Sequence, residues 1–206
     1  MTLRLASAAA AAALFLLPLP ALAQGMGQPR ESIQFLDAIR KQDGNKVNEF
    51  LRDKALSMIN VKDPYGTGEA ALHIVVKRQD PTYLSVLINQ PGVNPNIQDR
   101  DGNTPLIFAA GLGWGPGVDA LIAKKANVNL ANNGGVTPLI RAVLAHDAEV
   151  VKKLLDAGAD PDRADFGGGL SAREYATRET RYPSIAKLLA DAPKLGRAAA
   201  AAGPKL

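Results

Sequence analysis

Apolar residues between Gly135 and Asp162 fall into two short phased groups separated by a turn. In the second group Val150, Val151, Leu154 and Leu155 recur at i, i+1, i+4 and i+5, the spacing of one buried stripe on a helix. The first group, Leu139 to Val143, follows Thr137 and Pro138. A threonine hydroxyl there caps a helix by accepting a bond from a free amide two or three residues on. Proline at the next position loses nothing, because that N–H has no helical partner. Gly158 ends the second helix, since glycine takes the left-handed conformation cheaply. Neither helix is long enough to be stable alone in water. Each needs a neighbour.

The neighbours recur along the chain. Thr104-Pro105-Leu106 stands 33 residues before Thr137-Pro138-Leu139, Ala70-Ala71-Leu72-His73 a further 34 before that, and Ser171-Ala172 34 after Thr137. The closing half recurs in phase: Gly92-Val93-Asn94-Pro95-Asn96, Ala126-Asn127-Val128-Asn129 and Gly158-Ala159-Asp160-Pro161-Asp162. This period, with a Thr-Pro-Leu opening and a Gly-Ala-Asp-x-Asn-like close, resembles the ankyrin repeat. The resemblance covers residues 31–191. It implies an all-α solenoid of about five helix-turn-helix repeats with degenerate terminal caps and short β-hairpin-like loops.

The repeats are expected at about 31–64, 65–98, 99–131, 132–165 and 166–191. In the first, Ala38-Ile39 align with Ala142-Val143 and Phe50-Leu51 with Leu154-Leu155, without an opening hairpin. Its polar Arg40, Lys41, Gln42, Asn45, Lys46 and Asn48 suit the outer face of an end repeat. The stretch 53–68 is a few residues longer than standard and reads as a projecting loop containing Tyr65. Asp80-Pro81 caps the second helix of repeat two, and Ser171 to Glu174 forms a capping box in repeat five. Gly111 to Gly117 reads as a glycine-rich connection between the helices of repeat three.

Residues 1–23 have the layout of a secretory signal: Arg4, an apolar run from Leu5 to Leu17, Pro18 and Pro20, then Ala21-Leu22-Ala23. Cleavage after Ala23 would leave a short flexible lead-in at 24–30, the repeats, and a disordered Ala/Pro/Lys tail at 192–206. The apolar run falls short of the ~20 residues that span a bilayer, which disfavours an uncleaved anchor. The expectation is export to a bacterial periplasm, with no membrane association after cleavage.

Composition sharpens that picture. The chain has no cysteine, which removes thiol chemistry, cysteine-ligated zinc and disulfides. Stability must then come from stacked repeat interfaces. The formal charge is only +4, with both signs interspersed, and Lys124-Lys125 and Lys152-Lys153 read as solvated faces. Nucleic-acid binding is not expected.

Little else suggests chemistry. His73 has no implied nucleophile or carboxylate partner; the resemblance assigns it a structural role, although Ala70 replaces the threonine that would share its hydrogen bonds. His146 and Asp147 are adjacent, whereas a metal site wants three or four ligands. The Asp/Asn-rich tips lack the closing glutamate of a calcium loop and are explained by turn formation. No metal, cofactor or catalytic residue is assigned.

The resemblance implies a non-catalytic protein-binding module, expected as a monomer, with a protein partner whose identity the sequence leaves open. Contacts are expected on a concave face of hairpin tips and first helices, at positions the repeat's own packing does not dictate. These are Thr67, Glu69, Lys77 and Arg78 in repeat two, and Arg100, Asp101, Asn103 and Leu112 in repeat three. Asn133, Val136 and Leu144 follow in repeat four, and Arg178 and Glu179 in repeat five. Trp114 joins them as an aromatic anchor, half-buried packing being its other reading. Two alternative roles stay open: a dedicated inhibitor or immunity protein against an exported toxin, and an accessory protein linked to oxidative stress.

Overall fold

The computed structural model describes residues 29–193. The expected signal segment, the lead-in as far as residue 28 and the tail from 194 onward lie outside the described residues. Among those described, ten helices form five antiparallel pairs: α1 (Pro29–Lys41) with α2 (Gly44–Met58), α3 (Ala71–Lys77) with α4 (Pro81–Ile88), α5 (Pro105–Gly111) with α6 (Gly115–Ala123), α7 (Pro138–Leu144) with α8 (Ala148–Asp156), and α9 (Ala172–Arg178) with α10 (Pro183–Asp191). The first helices pack in one row, α1 to α3 to α5 to α7 to α9. The second helices α4, α6, α8 and α10 pack in another. The chain is an all-α solenoid.

Local chemistry starts each helix. Thr104 and Thr137 accept from the amides of Ile107 and Ile140, both at 3.2 Å. Asp43, Asp80 and Asp147 do the same for second helices. Ser171 and Glu174 close the expected capping box. The sharp turn between paired helices needs one left-handed residue, supplied by Gln42, Gln79 and His146 in three repeats and by Gly113 in repeat three.

The core is a set of register positions rather than a central mass. Leu72, Leu106 and Leu139 occupy equivalent positions on first helices, and Leu87, Leu121 and Leu154 on second helices; all six are buried. Each fully buried side chain of this size stabilises by about 1.5–3 kcal/mol. Ala109, Ala142 and Ala176 sit between them on the first helices and let neighbouring helices approach.

Two polar ladders lock the repeats in step. At the hairpin tips the amides of Arg100, Asn133 and Phe166 donate to the carbonyls of Thr67, Asp101 and Gly134, at 2.9, 3.0 and 2.8 Å. Beyond the second helices, side chains carry the link. Asn60 accepts from the amide of Asn94, Asn96 from that of Asn127, and Asn129 from that of Asp160, at 2.7–2.8 Å. Arg173 ends this series by pairing with Asp162 at 2.7 Å. The Asn and Asp residues that sequence reasoning credited with local turns thus also join one repeat to the next.

Three expectations need correction. The stretch 53–68 is not all loop: α2 runs on to Met58 across a kink at Lys54, where φ is −136°. Tyr65 does project, on the shorter segment that remains. Gly111 to Gly117 is not one long connection either, because Gly115 to Gly117 form the first turn of α6. The third correction concerns Trp114 and belongs to the site.

Candidate partner-binding face

Each hairpin tip is built on one oxygen-bearing side chain. Asp63, Asp99, Asn132 and Asp165 occupy the same register, and one oxygen of each accepts two amides from its own tip. Single antiparallel bridges, Lys62 to Ala70 and Ala164 to Ser171, close the bases of two tips. These groups are spent on shape. The Asp165 carboxyl is held below the usual carboxylate range, first by the Tyr175 hydroxyl that donates to it at 2.6 Å.

His73 is fully buried where Ala70 cannot cap α3. Its Nδ1 accepts from the Ala70 amide at 3.0 Å, and its Nε2 lies 3.0 Å from the Asn103 carbonyl. A carbonyl only accepts, so the ring is neutral with its proton on Nε2. Burial pushes the imidazole below its ordinary value and keeps it so. The side chain supplies the missing cap and ties repeat two to repeat three. His146 is half-buried in its left-handed turn and stacks on Tyr182, with ring centres 4.0 Å apart.

The expected contact residues divide by environment. Thr67, Lys77, Arg100, Asp101, Leu112, Asn133, Leu144 and Arg178 are exposed, while Glu69, Arg78, Asn103, Val136 and Glu179 are half-buried. Several already have partners within the stack. Arg78 donates to the Ile39 carbonyl at 2.7 Å and pairs with Asp80 at 2.9 Å. Asn103 bonds to Asp99 and accepts from Asn132. Glu69 pairs with Lys77 at 2.5 Å, and Glu179 with Arg181 at 2.7 Å. Hydrogen bonds from Arg181 draw the Glu179 carboxyl down to about 2.

Trp114 is not an exposed anchor. It is 9% exposed, and its ring lies over Gly117, where an added Cβ would come within 2.1 Å of a ring carbon. It forms one wall of a groove of about 240 Å³ between α4 and α6, with Pro81, Leu84, Pro116 and Ala120. That groove is on the second-helix row, away from the tips. The ring's position depends on a glycine three residues on, which no repeat-level pattern marks.

Three side chains that sequence reasoning passed over stand on the tip and first-helix face. Phe108 is half-buried, with the Lys77 ammonium 4.8 Å from its ring centre. Arg141, at the equivalent position 33 residues on, is exposed. Phe166 is 77% exposed at the fifth tip. A signal was available for two of them: Phe108 and Arg141 share one repeat position, beside the buried Ala109 and Ala142. Among the described residues, no cluster of three or more His, Asp or Glu side chains is placed to hold a metal ion, and no helix is long and apolar enough to cross a membrane.

Residues 72–165 match the family model of ankyrin repeats, in three copies. That stretch belongs to the ankyrin-repeat family. It is 33% identical over 103 residues to the E3 ubiquitin-protein ligase KEG of Arabidopsis thaliana, a match spanning 49% of this chain and 6% of that protein. A probable serine/threonine-protein kinase of Dictyostelium discoideum is 27% identical over 153 residues, covering 66% and 18%. The ANK repeat-containing protein nipk-1 of Caenorhabditis elegans is 28% identical over 135 residues, covering 58% and 22%. The chain thus spans less than a quarter of the length of these relatives. What is shared is the repeat, which is a protein–protein interaction module and generally a non-enzymatic one.

Proposed function

We propose that the chain is exported to a bacterial periplasm and acts there, as a monomer, as a non-catalytic scaffold that holds a protein partner. The partner lies across the face of hairpin tips and first helices. The observation that carries this reading is the ladder of backbone bonds from tip to tip, which sets four tips and the first-helix row in one fixed surface. A preformed surface loses little conformational entropy on binding, so more of the contact energy appears as affinity. Leu112 and Leu144, 43% and 44% exposed, add apolar area to that face. The export half of the reading rests on the signal layout of residues 1–23.

Affinity capture from the exported fraction, using the full chain as bait, tests both halves. A dominant protein partner is expected with the native chain and its loss with the double variant Arg100→Glu, Arg178→Glu. Equal capture by both would move the partner off this face. The N-terminal sequence of the chain recovered from cells is expected to begin at Gln24, and an intact Met1 in the cytoplasm would defeat the export half.

A further inference from the structure

The centre of the tip and first-helix face carries a charge without a counter-charge. Arg141 on α7 lies across Gly111 of α5: a Cβ added at Gly111 would come 3.4 Å from the Arg141 Nε. Phe108 stands one turn before Gly111 on the same helix, and Leu112 directly follows it. Leu144 stands one turn beyond Arg141 on α7. Apolar residues of two adjacent repeats thus occupy the positions next to Gly111 and one turn away from Gly111 and Arg141. Gly111 leaves space for the guanidinium: a Cβ there would only touch it, whereas a bulkier side chain would compete for its place.

Three cations near this face are matched by a carboxylate. Lys77 has Glu69, Arg78 has Asp80, and Arg40 has Asp63. Among the described residues Arg141, Arg100 and Arg178 form no ion pair. Arg100 is instead spent on the Pro64 carbonyl, which it reaches at 2.5 Å. Against these three stands the exposed, unpaired carboxylate of Asp101. A guanidinium is planar and weakly hydrated, and it matches a carboxylate with two parallel bonds. Set among leucines, it selects for an anion flanked by apolar groups.

Resting on the reading that the partner occupies this face, we infer that it is an acidic polypeptide segment presenting an Asp or Glu carboxylate to Arg141 between two apolar side chains. Those side chains seat on Leu112 and Leu144. Complementary charge here fixes register and speeds encounter, and the leucines supply the water-excluding rim.

Panning a displayed library of random peptides against the full chain tests this. The expected binders carry an acidic residue beside Leu, Ile or Phe. Their affinity is expected to fall about tenfold or more in Arg141→Glu, to survive better in Arg141→Lys, and to weaken with added salt. Arg141 is exposed and makes no cap, so the variants should keep the native circular dichroism. If Arg141→Glu fails to fold, the salt dependence of the native chain decides. Binders without acidic residues, binders indifferent to Arg141→Glu or to salt, or no binders at all would overturn the inference. Hydrogen exchange separates the two levels of failure. Protection on α5 and α7 with no effect of Arg141→Glu leaves the face standing and removes the acidic partner. Protection on α4 and α6 removes the face itself.

Discussion

Helices α6 and α8 hold the same place in successive repeats and have the same length, nine residues, yet they begin in opposite ways. Asp147 starts α8 with a carboxylate that accepts from the Val150 amide at 2.9 Å. The rest of α8 is amphipathic, with Val150, Val151 and Leu154 buried and Glu149, Lys152 and Asp156 exposed. The residue before α6 is Trp114, which makes no side-chain cap. Its ring folds back over Gly117 and packs against α4. One helix is started by a polar bond formed within three residues, the other by an aromatic side chain that needs the neighbouring repeat. The two are joined by Lys153 of α8, which reaches Asp119 of α6 at 2.7 Å. The contrast teaches that a solenoid tolerates a missing cap wherever an adjacent repeat can supply area instead.

The largest test of this contrast is Trp114→Ala. Loss of a large buried aromatic side chain is expected to cost about 3–5 kcal/mol in chemical denaturation. A cost under about 1 kcal/mol, the size of an ordinary cap, would mean that the ring adds no more than Asp147 does.

Gly117→Ala comes next and should change sign with its background. In the native chain the methyl meets the Trp114 ring, and overpacking of this kind costs about 1–3 kcal/mol. In the Trp114→Ala background the clash is gone, and alanine's better helix propensity should stabilise by up to about 1 kcal/mol. Equal costs in both backgrounds would show that the ring does not set the requirement for glycine.

The smallest effect is expected at α8. Asp147→Ala removes one cap and should cost about 1 kcal/mol, with Asp147→Asn recovering most of it. If Asp147→Ala proved as damaging as Trp114→Ala, the polar start would be carrying a longer-range contact. Gly113 is the candidate, since an added Cβ there would come 2.6 Å from the Asp147 carboxylate.

Much of the stack is readable from residue types, because helix starts and stops are local. Thr104, Thr137, Asp80 and Ser171 each act within three residues of their own position, and each does so in the structure. His73 shows where that reading thins. A structural role was implied by the resemblance, but its bond to the Asn103 carbonyl depends on a residue 30 positions away. The row of tips and first helices was legible in outline. It was not legible in detail. Arg78 and Asn103 look free in sequence and are bonded into the stack, whereas Arg141 and Phe108 were passed over and stand on the surface.

What the residues settle alone is the unit: its period, its caps, its apolar stripes and the number of times it recurs, since each depends on spacing and on conformational preference over a few positions. Stacking settles the rest. Whether Trp114 is buried, which Asn side chains bridge repeats, and that Gly111 leaves room for Arg141 all depend on atoms some thirty residues apart in the chain. No local preference encodes such distances, so the surface a partner would meet is set only when the repeats lean together.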